Sequence, residues 1–109
     1  MTERAFARAS RKHELEDLRR LEAAAEAIAR DSNLRFLFAR LFESCGMAAS
    51  PFTPDPLTTA HACGKMAVGE ELRALLETAS PDLYFDIMKE QAHAERQRTD
   101  ELQSSLAVD

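Results

Sequence analysis

Apolar residues recur along this chain at intervals of three and four, and no alternating stretch appears, so the pattern predicts helices throughout. The first predicted helix runs from about Glu3 to Arg30. It is rich in Ala, Glu, Arg and Leu, all strong helix formers. Its apolar stripe is Leu15, Leu18, Leu21, Ala25 and Ile28, narrow and ending near alanines, which suits a helix lying close against a partner helix. Glu16 with Arg20 and Glu26 with Arg30 stand four apart in the favourable order. A second helix is predicted from Asn33 to Cys45, with Asp31 or Ser32 as its cap and Gly46 ending it in a left-handed turn. Leu34, Phe38, Leu41 and Cys45 form its stripe, and Phe36, Leu37 and Phe42 widen it until the helix is apolar nearly all round. Such a helix is expected at the centre of the core.

Pro51, Pro54 and Pro56 forbid a helix in the next stretch and favour an extended path, with Phe52 plugging the loop into the core. Asp55-Pro56 is a helix opening, a capping carboxylate followed by proline where its missing N–H costs nothing. The third helix then runs from Pro56 to Ala79. Its stripe holds Leu57, Ala60, Gly64, Ala67, Val68, Glu71, Leu72, Leu75 and Leu76. Glycine inside a helix costs about 1 kcal/mol relative to alanine, so Gly64 and Gly69 point to a close helix approach or a local break, and Gly64 is expected against another helix. Ser80-Pro81 repeats the opening and starts a fourth segment, apolar at Leu83, Tyr84, Ile87 and Met88 and then almost entirely polar from Lys89 to Ser105. A helix polar all round is a bridge through solvent or an arm bound by a partner. Leu102, Leu106 and Val108 can form a docking patch at its end.

The expected fold is therefore all-α: a small domain of three packed helices with a long N-terminal helical arm and a polar C-terminal helical extension. The expected divisions are 1–30, 31–90 and 91–109, with a core of Phe36, Phe38, Leu41, Leu72, Leu75 and Ile87. Neither arm has enough apolar surface to offset its own ordering entropy, about 1–2 kcal/mol per residue, so the arms are expected to carry intermolecular contacts.

Composition narrows this little. A chain of 109 residues suits one domain. A formal charge of -5 argues against a general nucleic-acid binder. No apolar run approaches the roughly 20 residues of a membrane span, and the first residues lack the apolar region of a signal peptide. Synthesis in a reducing cytoplasm is expected, with Cys45 and Cys63 as buried thiols rather than a disulfide.

Candidate chemistry is sparse. His13, His61 and His93 lie far apart and no paired ligand spacing occurs, so neither a metal nor a cofactor is expected. Glu14, Glu16 and Asp17, and also Glu70 and Glu71, are carboxylate clusters of the kind that can run acid–base chemistry. On exposed helices they are far more often a solvated face. His61 and Cys63 are two apart and point to different sides of a helix, so they make no nucleophilic pair. Arg4, Arg8, Arg11 and Lys12 share one helix face, which can meet phosphates or an acidic protein surface; a solvated helix end is the plainer meaning. The candidate partner-binding residues are these four, the stripe residues Leu15, Leu18 and Leu21, and Leu102 with Leu106.

From Asn33 to Glu90, about half of the chain, an ordered series of features resembles a small family of tailed-bacteriophage proteins, typified by a protein of a short-tailed Bordetella phage. The series is Arg35-Phe36-Leu37, Glu43-Ser44-Cys45-Gly46, Ser50-Pro51-Phe52, Gly64 with Gly69, Leu75-Leu76, Pro81 with Tyr84, and Met88 with Glu90. Two places depart from it: Leu34-Arg35 stands where members often carry Gly-Arg, and Gly64-Lys65-Met66 where they carry Gly-Arg-Arg. The resemblance implies a virion or virion-assembly protein and assigns no catalytic residue. The resulting expectation is a non-enzymatic virion structural protein, made in the bacterial host cytoplasm and carried in the particle. It would pack as repeated copies of itself against portal or tail components, or inside the capsid, with no membrane contact. The alternative is an assembly-stage scaffolding or DNA-packaging helper that touches DNA through its basic N-terminal face.

Overall fold

A computed structural model describes residues 2–108, the side chain of Val108 excepted. The described residues form four α-helices: α1 (Glu3–Arg30), α2 (Ser32–Ser44), α3 (Pro56–Ala79) and α4 (Leu83–Val108). The described residues contain no strand.

Local chemistry explains each boundary. Thr2 caps α1 by accepting from the backbone N–H of Ala5 at 3.2 Å. Asp31 serves two helices at once. Its N–H donates to the carbonyl of Ile28 at 3.3 Å, ending α1, and its carboxylate accepts from Asn33 and Leu34, opening α2. A single extended residue therefore joins the two helices. Gly46, at φ 74°, closes α2 in the left-handed conformation. Its N–H donates to Glu43, and that of Met47 reaches back to Phe42, so two orphan carbonyls are satisfied. The proline loop is held to α3 by Thr53, whose N–H donates to the hydroxyl of Thr59 at 2.9 Å. Asp55 caps α3 through Leu57 and Thr58, and Pro56 occupies its first turn. The Ser80-Pro81 opening is displaced: a turn fills 81–82, and α4 begins at Leu83.

The core lies where the end of α1, the inner face of α2, the end of α3 and the start of α4 converge. Ala25, Ile28, Ala39, Phe42, Leu76, Leu83, Tyr84 and Ile87 are buried there, with Phe38, Leu72 and Met88 packed at its edge. Phe42 is fully enclosed and meets the Tyr84 ring edge to face at 4.9 Å. Only part of the expected core holds. Ile87 is buried and Phe38 and Leu72 are half-buried, whereas Phe36, Leu41 and Leu75 are exposed. Nor does Phe52 plug its loop into the core; it is 78% exposed. The reason is the shape. The molecule measures 77 × 40 × 16 Å between Cα extremes, about two helix layers thick. A slab that thin covers one side of α2 and leaves the other in solvent.

The expected division at residue 30 also cuts through the core, because Ala25 and Ile28 of α1 are among its most buried members. Along the α1 stripe, burial rises steadily: Leu15 is exposed, Leu18 and Leu21 are half-buried, and Ala25 and Ile28 are enclosed. The arm is thus a projecting half of a helix whose other half belongs to the domain. The radius of gyration is 19.7 Å, against about 13 Å for a compact chain of this length. The longest helix spans only about 42 Å at 1.5 Å per residue. The long axis must therefore be spanned by more than one helix projecting from the core.

Candidate interaction surfaces

Four groups of residues bear on function: the basic end of α1, the apolar end of α4, the fastenings between helices, and the faces left in solvent. Arg4, Arg8, Arg11 and Lys12 are all exposed on α1, and among the described residues none of the four enters an ion pair. Arg11 donates only to the carbonyl of Ala7 in its own helix, at 3.4 Å. With Leu15, Arg8, Arg11 and Lys12 line a shallow hollow built from α1 alone. No second element walls it, so it is a surface and not a pocket. On α4, Leu102 and Leu106 are exposed and one turn apart. The Val108 side chain, expected to join them, lies outside the described residues. The carboxylates Glu14, Glu16, Asp17, Glu70 and Glu71 are all exposed, as a solvated face requires.

Two arginines fasten the helices to one another. Arg35 on α2 donates through Nε and a terminal nitrogen to both carboxylate oxygens of Glu90 on α4, at 2.6 and 3.3 Å. Its other terminal nitrogen donates to the carbonyl of Ala29 at 2.6 Å, so one guanidinium ties the end of α1, α2 and α4 together. The hydrogen bond to Glu90 holds the Arg35 proton more tightly than usual, helped by the charges of Glu90 and Asp31. On the other side of α4, Arg73 of α3 stacks over Tyr84 at 4.5 Å and Phe85 at 5.1 Å while its Nε pairs with Glu77 at 2.7 Å. Here too the hydrogen bond to the carboxylate raises the guanidinium's affinity for its proton.

The glycines divide differently from the expectation. Gly69 is the close-approach position: a Cβ there would lie 2.6 Å from the Met47 sulfur and 2.8 Å from Cβ of Cys45. At Gly64 a Cβ would meet nothing within 4 Å, so no helix of this chain packs against it. Cys45 is a buried free thiol as expected, but Cys63 is an exposed one on α3. Sequence reasoning missed the Arg35–Glu90 link, the Arg73 stack and the role of Gly69. The first joins residues 55 apart, a distance no periodicity reports.

Among the described residues no group of three or more His, Cys, Asp or Glu side chains is placed to hold a metal ion. Among the described residues no helix is long and apolar enough to cross a membrane. Comparison with family models, with curated proteins and with solved structures finds no match.

Proposed function

We propose that this chain is a non-enzymatic structural protein of a bacteriophage particle, packed in repeated copies at or near the portal and tail or inside the capsid, and held by its projecting helices. The observation that carries the assembly part of this reading is the balance of apolar surface. Among the described residues, twelve large hydrophobic side chains are exposed against nine buried hydrophobic residues. Chains that function alone rarely leave so much in water, whereas components of assemblies bury such surface against neighbours. The phage part rests on the resemblance across residues 33–90. Portal or tail proteins and further copies of the chain are the proposed partners, contacted through Leu15, Leu18, Leu21, Leu102, Leu106 and the basic face of Arg4, Arg8, Arg11 and Lys12.

A mass-spectrometric inventory of purified particles of the phage that encodes the chain tests this directly. The protein should be present in mature particles at a constant copy number. The unpaired basic face favours a second reading, a scaffolding or packaging helper that touches DNA. That reading requires the protein in assembly intermediates, its absence from mature particles, and DNA binding that weakens steeply with salt. Absence from both particles and intermediates would remove both readings.

A further inference from the structure

Helix α3 presents two unlike faces. Met66, Gly69, Arg73 and Leu76 turn toward the rest of the chain, while Leu57, His61, Gly64, Val68, Glu71 and Leu75 all stand exposed. The exposed six are spaced alternately four and three apart, the seam of a coiled coil. Their exposure is substantial: Leu57 81%, Val68 60% and Leu75 50%. We propose that this face is the interface of a two-fold symmetric dimer in which two copies of the chain pair their α3 helices antiparallel about a centre near residue 66.

The occupant is chosen by the register. In an antiparallel pair of helices, seam positions of one type meet positions of the other type, level by level. Centred at residue 66, Leu57 meets the partner's Leu75, apolar against apolar. Gly64 meets the partner's Val68, a gap against a branched side chain. His61 meets the partner's Glu71, an N–H donor against a carboxylate. The two-fold repeats each pairing, so every level of the seam is matched and none sets like charges together. A stripe serving an unrelated partner has no reason to be complementary to its own reversal.

Two further observations fit. Gly64 weakens the helix that contains it, and within the chain nothing approaches it; opposite a valine of a second helix it has a purpose. Ala60, Ala67 and Ala74 recur every seven residues along one flank of the seam, all exposed. Small side chains at that repeat let two helix axes come close. Leaning toward the alanine flank leaves the two copies of Lys65 at the solvent edge of the other. The seam from Leu57 to Leu75 is about 27 Å long at 1.5 Å per residue. It lies on a helix already fixed by its own fold, so pairing need not also order the backbone. The dimer does not depend on the virion reading, since it is a property of the purified chain.

Sedimentation velocity of the full chain over about 1–100 micromolar should show a reversible monomer–dimer equilibrium. Val68→Lys should raise the dissociation constant at least about tenfold with helix content unchanged. His61→Glu should weaken the dimer, and His61→Glu with Glu71→Lys should restore it, a rescue that no general destabilisation produces. In a Cys63→Ser background, Ala67→Cys should oxidise readily to a linked dimer, because residue 67 of each copy meets near the axis, and Glu70→Cys should not. A chain that stays monomeric throughout, a dimer indifferent to Val68→Lys, or equal cross-linking through residue 70 overturns the proposal.

Discussion

Phe42 and Leu41 are neighbours in sequence and opposites in energetics. Phe42 has no exposed surface, whereas Leu41 is 43% exposed. Phe42→Ala should therefore cost about 3–5 kcal/mol and Leu41→Ala less than about 1 kcal/mol, as read from urea melts. A core with so few enclosed residues leaves the first variant at the edge of unfolding. The glycines give a second contrast. Gly69→Ala forces a methyl group onto Cβ of Cys45, an atom fixed to the backbone, and should cost about 1–3 kcal/mol. Gly64→Ala meets open space and should gain about 1 kcal/mol from helix propensity in dilute solution. Thermal melts of the pair decide whether the close approach lies at 69 and not at 64. Neither contrast was readable beforehand. A helix apolar on every side does not announce which side is covered, and two glycines in one helix look alike until a neighbour is placed beside them.

Helix ends were far more legible than helix faces. The Asp55-Pro56 opening, the Asp31 cap and the Gly46 stop are local chemistry, settled within a few residues, and each stands where the sequence put it. The Ser80-Pro81 opening moved by two residues because the chain uses residues 81–82 to bend before Leu83 enters the core. The links between helices, by contrast, depend on residues brought together only by the finished fold, as with Arg35 and Glu90. Asp31 ends one helix and begins the next, so Asp31→Ala should cost about 0.5–2 kcal/mol, visible as lost helicity in circular dichroism as well as in melting. Asp55 gives a pH signature. Hydrogen bonds from the Thr58 side chain and from the Leu57 and Thr58 backbone hold its carboxyl below the usual value. The folded form therefore prefers the ionised group. That stabilisation is fully present above the ordinary carboxylate value of about 3.9 and is lost as pH falls through the depressed folded value. Asp55→Asn should be less stable than the parent at neutral pH, and the difference should shrink on acidification. A difference constant with pH would show that the charge at this cap contributes nothing.

At the scale of the whole molecule, the all-helical class was plain from periodicity, but the partition into arm and domain was not. The α1 stripe reads as one continuous feature and gives no sign of where cover begins. The buried positions Ala25 and Ile28 shift the expected outcome of truncation. Removing residues 1–17 should leave a folded protein within about 1 kcal/mol of the parent, and under the proposed virion role that protein no longer enters particles. Removing residues 1–30 takes away Ile28 and should cost about 2–5 kcal/mol from that side chain alone, enough to unfold much of the population. Melting curves and particle incorporation, measured on both truncations, separate loss of docking from loss of fold.

The order in which the helices touch has a kinetic meaning. Each helix packs against its successor in the chain, α1 also lies on α3 and α2 on α4, and the first junction is a single residue. Most close residue pairs in this helical chain are nevertheless local in sequence, and helical proteins dominated by local contacts fold within about microseconds to milliseconds. At that speed the chain completes its core before it meets another protein. The proposed pairing of two copies is then a collision between finished bodies, and its rate should rise with concentration, with no lag for maturation.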